Sequence, residues 1–172
     1  MNAPHTQTAK AGKYLTFKLG DELYGIEILA IQEIIQMMNV THLPHTPGYI
    51  RGVINLRGRI IPVLDLRKKF TLEPRPDTDR TCIIVTRIAK LGVDMTMGVV
   101  VDEVAEAVDI RAEQIQDTPD FGVQIDSGYI RGIGNVDKKA AILLNVDHIL
   151  TTHELEAVSK ATERHDEVKD EK

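Results

Sequence analysis

Tryptophan is absent from the 172 residues, aromatics of all kinds make up only 4%, and there is a single cysteine. With so few rings, the interior must rest on Ile, Val and Leu, and this β-branched richness favours strands over a helical bundle. One cysteine rules out an intrachain disulfide framework and fits a reducing compartment. Cys82 precedes Ile83-Ile84-Val85 and reads as a buried core thiol. No apolar run approaches the length that spans a bilayer, and Met1 to Lys10 lacks the apolar core of a signal peptide. The expectation is a cytoplasmic protein without direct membrane insertion. Broad positive charge is missing too: the net charge is −5, which argues against nucleic acid as the main partner.

Catalytic constellations are also missing. No Gly-rich loop leads into Lys-Ser/Thr, and no Gly-x-Ser-x-Gly elbow occurs. His42 and His45 are the best metal candidates, but they flank Pro44 with no companion ligand set, so a polar loop is the plainer reading. The expectation is a non-enzyme with no metal and no cofactor.

What the chain does contain, it contains twice. Gly48-Tyr-Ile-Arg-Gly-Val-Ile-Asn-Leu-Arg-Gly-Arg-Ile-Ile-Pro-Val-Leu-Asp-Leu66 returns without a gap as Gly128-Tyr-Ile-Arg-Gly-Ile-Gly-Asn-Val-Asp-Lys-Lys-Ala-Ala-Ile-Leu-Leu-Asn-Val146. Each copy is an apolar run, a polar turn and a second apolar run, which spells a hairpin. The first turn carries Arg57-Gly58, and the second has lost both the glycine and the second arginine. Asp65 and Asn145 occupy matching places at the strand ends and read as turn or cap residues. Upstream, Gly25 to Glu33 and Gly98 to Glu106 share a glycine, apolar positions and a glutamate in the same columns. The body is therefore a duplication of two similar units.

Residues 1–13 are small and polar and read as disordered. The first half spans 14–79 and closes on the proline-bearing linker Thr71 to Asp79. The second half spans 80–150. From 151 to 172 the chain reads as a capped helix that frays into a charged tail after about Glu163. Between Leu29 and Met38 the pattern is ambiguous: Ile28, Ile31 and Ile35 suit a short helix, and Ile26, Ile28 and Ile34 suit extended structure. The fold class is mainly β, with short strands and Gly/Pro turns pointing to two small antiparallel barrels side by side and a C-terminal helix.

Arg51, Arg57, Arg59, Arg67, Lys68 and Lys69 form a basic cluster in this acidic chain. They read either as solubilising charge or as a contact surface. Arg57, held at a turn tip, presents a planar guanidinium suited to a partner carboxylate. Phe121 lies in the longer loop of the second half, either as a core contact or as an exposed anchor for a partner protein.

Tyr24 to Ile34, Thr46 to Leu66, Gly98 to Val108, Glu113-Gln-Ile115 and the second Gly-Tyr-Ile block to about Leu150 together resemble the chemotaxis coupling protein family CheW. The resemblance implies two packed five-stranded, SH3-like β-barrel subdomains with a groove between them. It implies an adaptor that couples methyl-accepting chemotaxis receptors to the histidine kinase CheA, recruited to receptor arrays at the inner face of the membrane. Receptor contact would fall on the positions matching Ile31, Glu33, Gly52, Arg57 and Gly58, and Phe121 lies toward the kinase-joining surface. The alternative is a regulatory barrel that binds a small ligand or nucleic acid through Arg51, Arg57 and Arg59.

Overall fold

The computed structural model describes residues 10–90, 92–116 and 128–170. Most of the N-terminal segment expected to be disordered, and Phe121, lie outside them. β1 (Gly12–Leu19) turns at Gly20 into β2 (Glu22–Glu27). The ambiguous segment then resolves as both of its readings in succession. A single 3-10 turn at Ile28–Ala30 is followed by β3 (Ile31–Gln36).

The first repeated block is the hairpin β4 (Ile50–Leu56) and β5 (Arg59–Asp65). It leads into the four-residue helix α1 (Leu66–Lys69), which Asp65 caps by accepting from the Arg67 and Lys68 backbone N–H groups. β6 (Cys82–Lys90) and β7 (Val93–Val101) are the next hairpin. After β8 (Glu103–Ile110) comes the two-residue β9 (Ile115–Gln116). β10 (Ile130–Val136) and β11 (Lys139–Leu144) carry the second repeated block, where Asn145 caps the following turn as Asp65 does in the first.

The strands form two sheets, β8-β1-β2-β11-β10-β9 and β3-β6-β7-β5-β4. Each sheet is built from both halves of the duplication. The first half contributes β1 and β2 to the larger sheet and β3 to β5 to the smaller, and the second half does the reverse. The chain crosses between sheets at equivalent places, the 3-10 turn after β2 and Asp102 after β7. The exchanged strands meet in two parallel pairings with matching register: Leu143 opposite Gly25, and Val63 opposite Gly98. Glycine recurs in that column for a steric reason. A Cβ on Gly25 would lie 3.0 Å from Leu143 Cδ2, and one on Gly98 would lie 2.7 Å from Ile83 Cγ2.

Two five-stranded barrels were expected; the sheets have six and five strands, and neither closes into a hydrogen-bonded ring among the described residues. The ends are only partly joined. In the smaller sheet, the chain after β3 reaches β4 through one bridge, Thr41 to Val53. In the larger sheet, β9 pairs with the matching stretch of β10. The loop Thr41 to Gly48, with two prolines, supplies no further strand.

Small clusters line the inside of each sheet: Ile54, Val63 and Val85 in one, Tyr14, Ile110 and Leu143 in the other. The main core lies between them and takes Phe17, Leu64, Ile84, Val99 and Leu144, closed off by Leu155 and Val158 of α2 (Thr152–Asp170). Four of the seven aromatic rings form one stack through this region, Phe17 on Tyr24 on Phe70 on Tyr129, at centroid distances of 5.9, 5.8 and 4.8 Å. The helix spans Thr152–Asp170, with no Gly or Pro to interrupt it.

Glu154 fastens this helix to the sheets. It closes a capping box with Thr151, accepts from the Tyr49 hydroxyl, and takes both oxygens to Lys69 Nζ at 3.0 Å. Lys69 Nζ also sits 4.6 Å from the Tyr49 ring centroid. Burial raises the Glu154 pKa, but the Thr151 N–H, the Tyr49 hydroxyl and the Lys69 ammonium outweigh it and bring the carboxyl from 4.5 down to about 2. Burial, and then the bond to Glu154, push the Tyr49 hydroxyl up. A carboxyl with a depressed folded pKa adds stability that is complete above its unfolded pKa and is lost as pH falls through the folded one. Glu154→Gln should therefore flatten the acid side of the stability profile between pH 4.5 and 2. Urea midpoints across that window check this, and an unchanged slope refutes it.

Candidate interaction site

The hairpin β4–β5 needs a two-residue turn whose twist matches its strands, which demands positive φ at both central positions. Arg57 takes φ 54° and Gly58 φ 85°, with Gly58 N donating to Asn55 Oδ1 at 2.9 Å. The second copy keeps the geometry without glycine, at Asp137 (φ 49°) and Lys138 (φ 68°). A non-glycine residue held left-handed costs about 1 kcal/mol, so Arg57 at the tip is a choice of side chain against backbone preference.

That side chain is 73% exposed and reaches across to β3, where Arg57 Nη1 meets Glu33 Oε2 at 2.6 Å. The hydrogen bond from Arg57 holds the Glu33 carboxyl below its ordinary pKa. Two of the expected contact residues thus form one ion pair on the surface. Ile31 begins the same strand, half-buried against the inter-sheet core and opposite Thr86. Gly52 is different in kind. It is buried at φ 144°, and a Cβ there would lie 2.0 Å from Thr41 O. It permits the Thr41–Val53 bridge beside the register shift in β4 and offers no surface of its own.

The other basic residues are mostly answered internally. Arg51 makes a bidentate pair with Asp77 at 2.8 Å and a further contact with Asp65 at 3.3 Å, tying the linker to β4. Arg59 Nη2 donates to Thr96 Oγ1 at 3.2 Å. The trio of Arg51, Arg57 and Arg59 is therefore no open polycationic face. Among the described residues, no three His, Cys, Asp or Glu side chains are placed to hold a metal ion. Cys82 is half-buried, and burial raises its pKa.

Apolar exposure on and around β3 was not legible in the sequence. Leu29 is 95% exposed on the 3-10 turn, and Ile34 and Met38 are exposed on and after β3. The helix-or-strand ambiguity at 29–38 hid them, since the side a residue faces depends on which period applies. Immediately before Ile31, Leu29 and Ala30 border a cleft of about 360 Å³ between the sheets, with Glu27, Arg87, Arg131 and Asp147 also on its walls. Arg131 pairs with Glu27 there. An exposed charged pair, bare apolar side chains and an inter-sheet cleft on neighbouring elements suit protein recognition better than catalysis.

Residues 13–154 match the family described as CheW-like domain. The chain is 36% identical over 153 residues to the chemotaxis protein CheW of Klebsiella aerogenes, covering 89% of this chain and 90% of that one. It is 33% identical to the chemotaxis protein CheW of Bacillus subtilis, covering 82% and 86%. Among solved structures, the scaffolding protein TtCheW from Thermoanaerobacter tengcongensis superposes with a TM-score of 0.74 at 34% identity, covering 84% of this chain and 95% of that one.

Proposed function

The chain belongs to the CheW-like family, and on that premise we propose that it is a non-enzymatic chemotaxis scaffold that couples methyl-accepting receptors to the kinase CheA. The observation that carries this reading is the Arg57–Glu33 pair on an exposed turn, with Leu29 and Ile34 left bare on the 3-10 turn and on β3. Arg57 and Glu33 would meet the receptor, with Ile31 at the edge of the contact. Gly52 acts from beneath by admitting the Thr41–Val53 bridge, and Gly58 acts by setting the turn. Phe121 supplies the kinase-facing anchor of the second half. In this reading the protein is cytoplasmic and is recruited to arrays at the inner face of the membrane. Each sheet is an opened relative of a five-stranded SH3-like barrel.

The test is co-sedimentation with receptor-bearing membranes. Arg57→Glu places two carboxylates together and turns an attraction for an acidic partner into repulsion. Affinity should fall about tenfold or more, some 1.4 kcal/mol, with the urea midpoint near wild type because the side chain is exposed. Sedimentation equal to wild type would refute the reading.

A further inference from the structure

The linker between the two repeats folds over a second concavity, and its charges do not balance. This space of about 260 Å³ is lined by four cations, Lys18, Arg67, Arg75 and Arg80, against two carboxylates, Asp102 and Glu103. Both carboxylates are already engaged. Asp102 pairs with Arg67 and accepts from Gly20 N at 2.6 Å, and Glu103 pairs with Arg80 at 3.0 Å. Among the described residues, no carboxylate pairs with Lys18 or Arg75. By contrast, the cleft before Ile31 carries two acids and two arginines.

The donors also outnumber the acceptors. The Arg67 side chain is only 11% exposed, and among the described residues its buried Nε–H has no hydrogen-bond partner. Such a donor is costly to leave unmet. The Thr81 hydroxyl accepts from Thr78 N at 2.8 Å and the Thr78 hydroxyl from Arg80 N at 3.1 Å, so each keeps its own O–H proton to give away. Lys18 O receives Asp102 N at 3.1 Å, and Arg67 Nη1 donates to Arg75 O at 3.1 Å, so the cations stand on a fixed frame.

We propose that this concavity is a binding site for a phosphate-class oxyanion, held by Lys18 and Arg75 with the hydroxyls of Thr78 and Thr81. Two unanswered positive charges match a dianion, and guanidinium forks suit its tetrahedral oxygens. Its occupant would bind the linker to the β1–β2 turn and to the crossing at Asp102, joining segments from both sheets.

The full chain is titrated with inorganic phosphate, and with potassium chloride at matched ionic strength. Backbone amide shifts of Gly20, Thr78 and Thr81 are followed by NMR. Saturable shifts confined to these amides are expected with phosphate only. The double variant Lys18→Gln, Arg75→Gln should bind phosphate about tenfold or more weakly while its urea midpoint stays at the wild-type value. Glycerol phosphate, run in parallel, identifies the source: affinity like that of the free ion assigns the site to a phosphate group carried by a larger molecule, and weaker binding assigns it to the free ion. Equal shifts in chloride, absence of saturation, or undiminished binding by the double variant would overturn the site.

Discussion

Replacing Gly52 by alanine should cost about 3 kcal/mol or more of stability, a large effect for one methyl group. The added carbon would stand 2.0 Å from Thr41 O and 2.6 Å from its carbonyl carbon, in a backbone conformation that L-residues rarely adopt. Both obstacles are backbone, so no rotamer change relieves them. The chain can yield only by opening the bridge, losing Thr41 N to Val53 O and Val53 N to Thr41 O, both at 2.8 Å. Gly58→Ala is the control: φ is 85° there but nothing lies within 4 Å, so only strain of about 1 kcal/mol remains. Urea denaturation of the two variants decides the matter. A Gly52→Ala midpoint as mild as that of Gly58→Ala would show that the bridge is dispensable.

The second large effect is expected at Leu155, 1% exposed where α2 closes the space between the sheets. Leu155→Ala removes three buried carbons and leaves a cavity that the stacked rings and β-branched neighbours are too stiff to fill, costing about 2–5 kcal/mol. Because the helix depends on this side chain, Val158 and the Glu154 clamp, its amides should lose hydrogen-exchange protection together. A loss below about 1 kcal/mol, with protection unchanged, would mean that the helix is held by its polar clamp alone.

Much of this was readable because duplication doubles the signal. The paired blocks gave the hairpins, and the column shared by Gly25 and Gly98 gave equivalence, though not the reason for it. That reason is a parallel contact between strands far apart in sequence, which periodicity does not encode. The sheets likewise cut across the boundary between repeats, since hydrophobic alternation marks which side of a strand is buried and not which strand buries it. Arg57 stood out at a turn tip. Its pairing with Glu33 depended on β3 being a strand, the point on which apolar spacing was divided. The unbalanced cations at Lys18 and Arg75 sit in stretches that read as a strand end and a linker, so nothing in either alone marked a site.

The exchange of strands between halves also sets a timetable for synthesis. β2 finds its parallel partner only in β11, with Ile26 opposite Leu144. At ribosomal rates of about 5–20 residues per second, the intervening chain takes on the order of 10 s to appear. Throughout that interval one side of the first hairpin is bare, and the side of β5 that receives β7 is bare until β7 emerges. Neither half can finish folding while the other is unmade, and the nascent chain therefore carries open β edges for most of its translation.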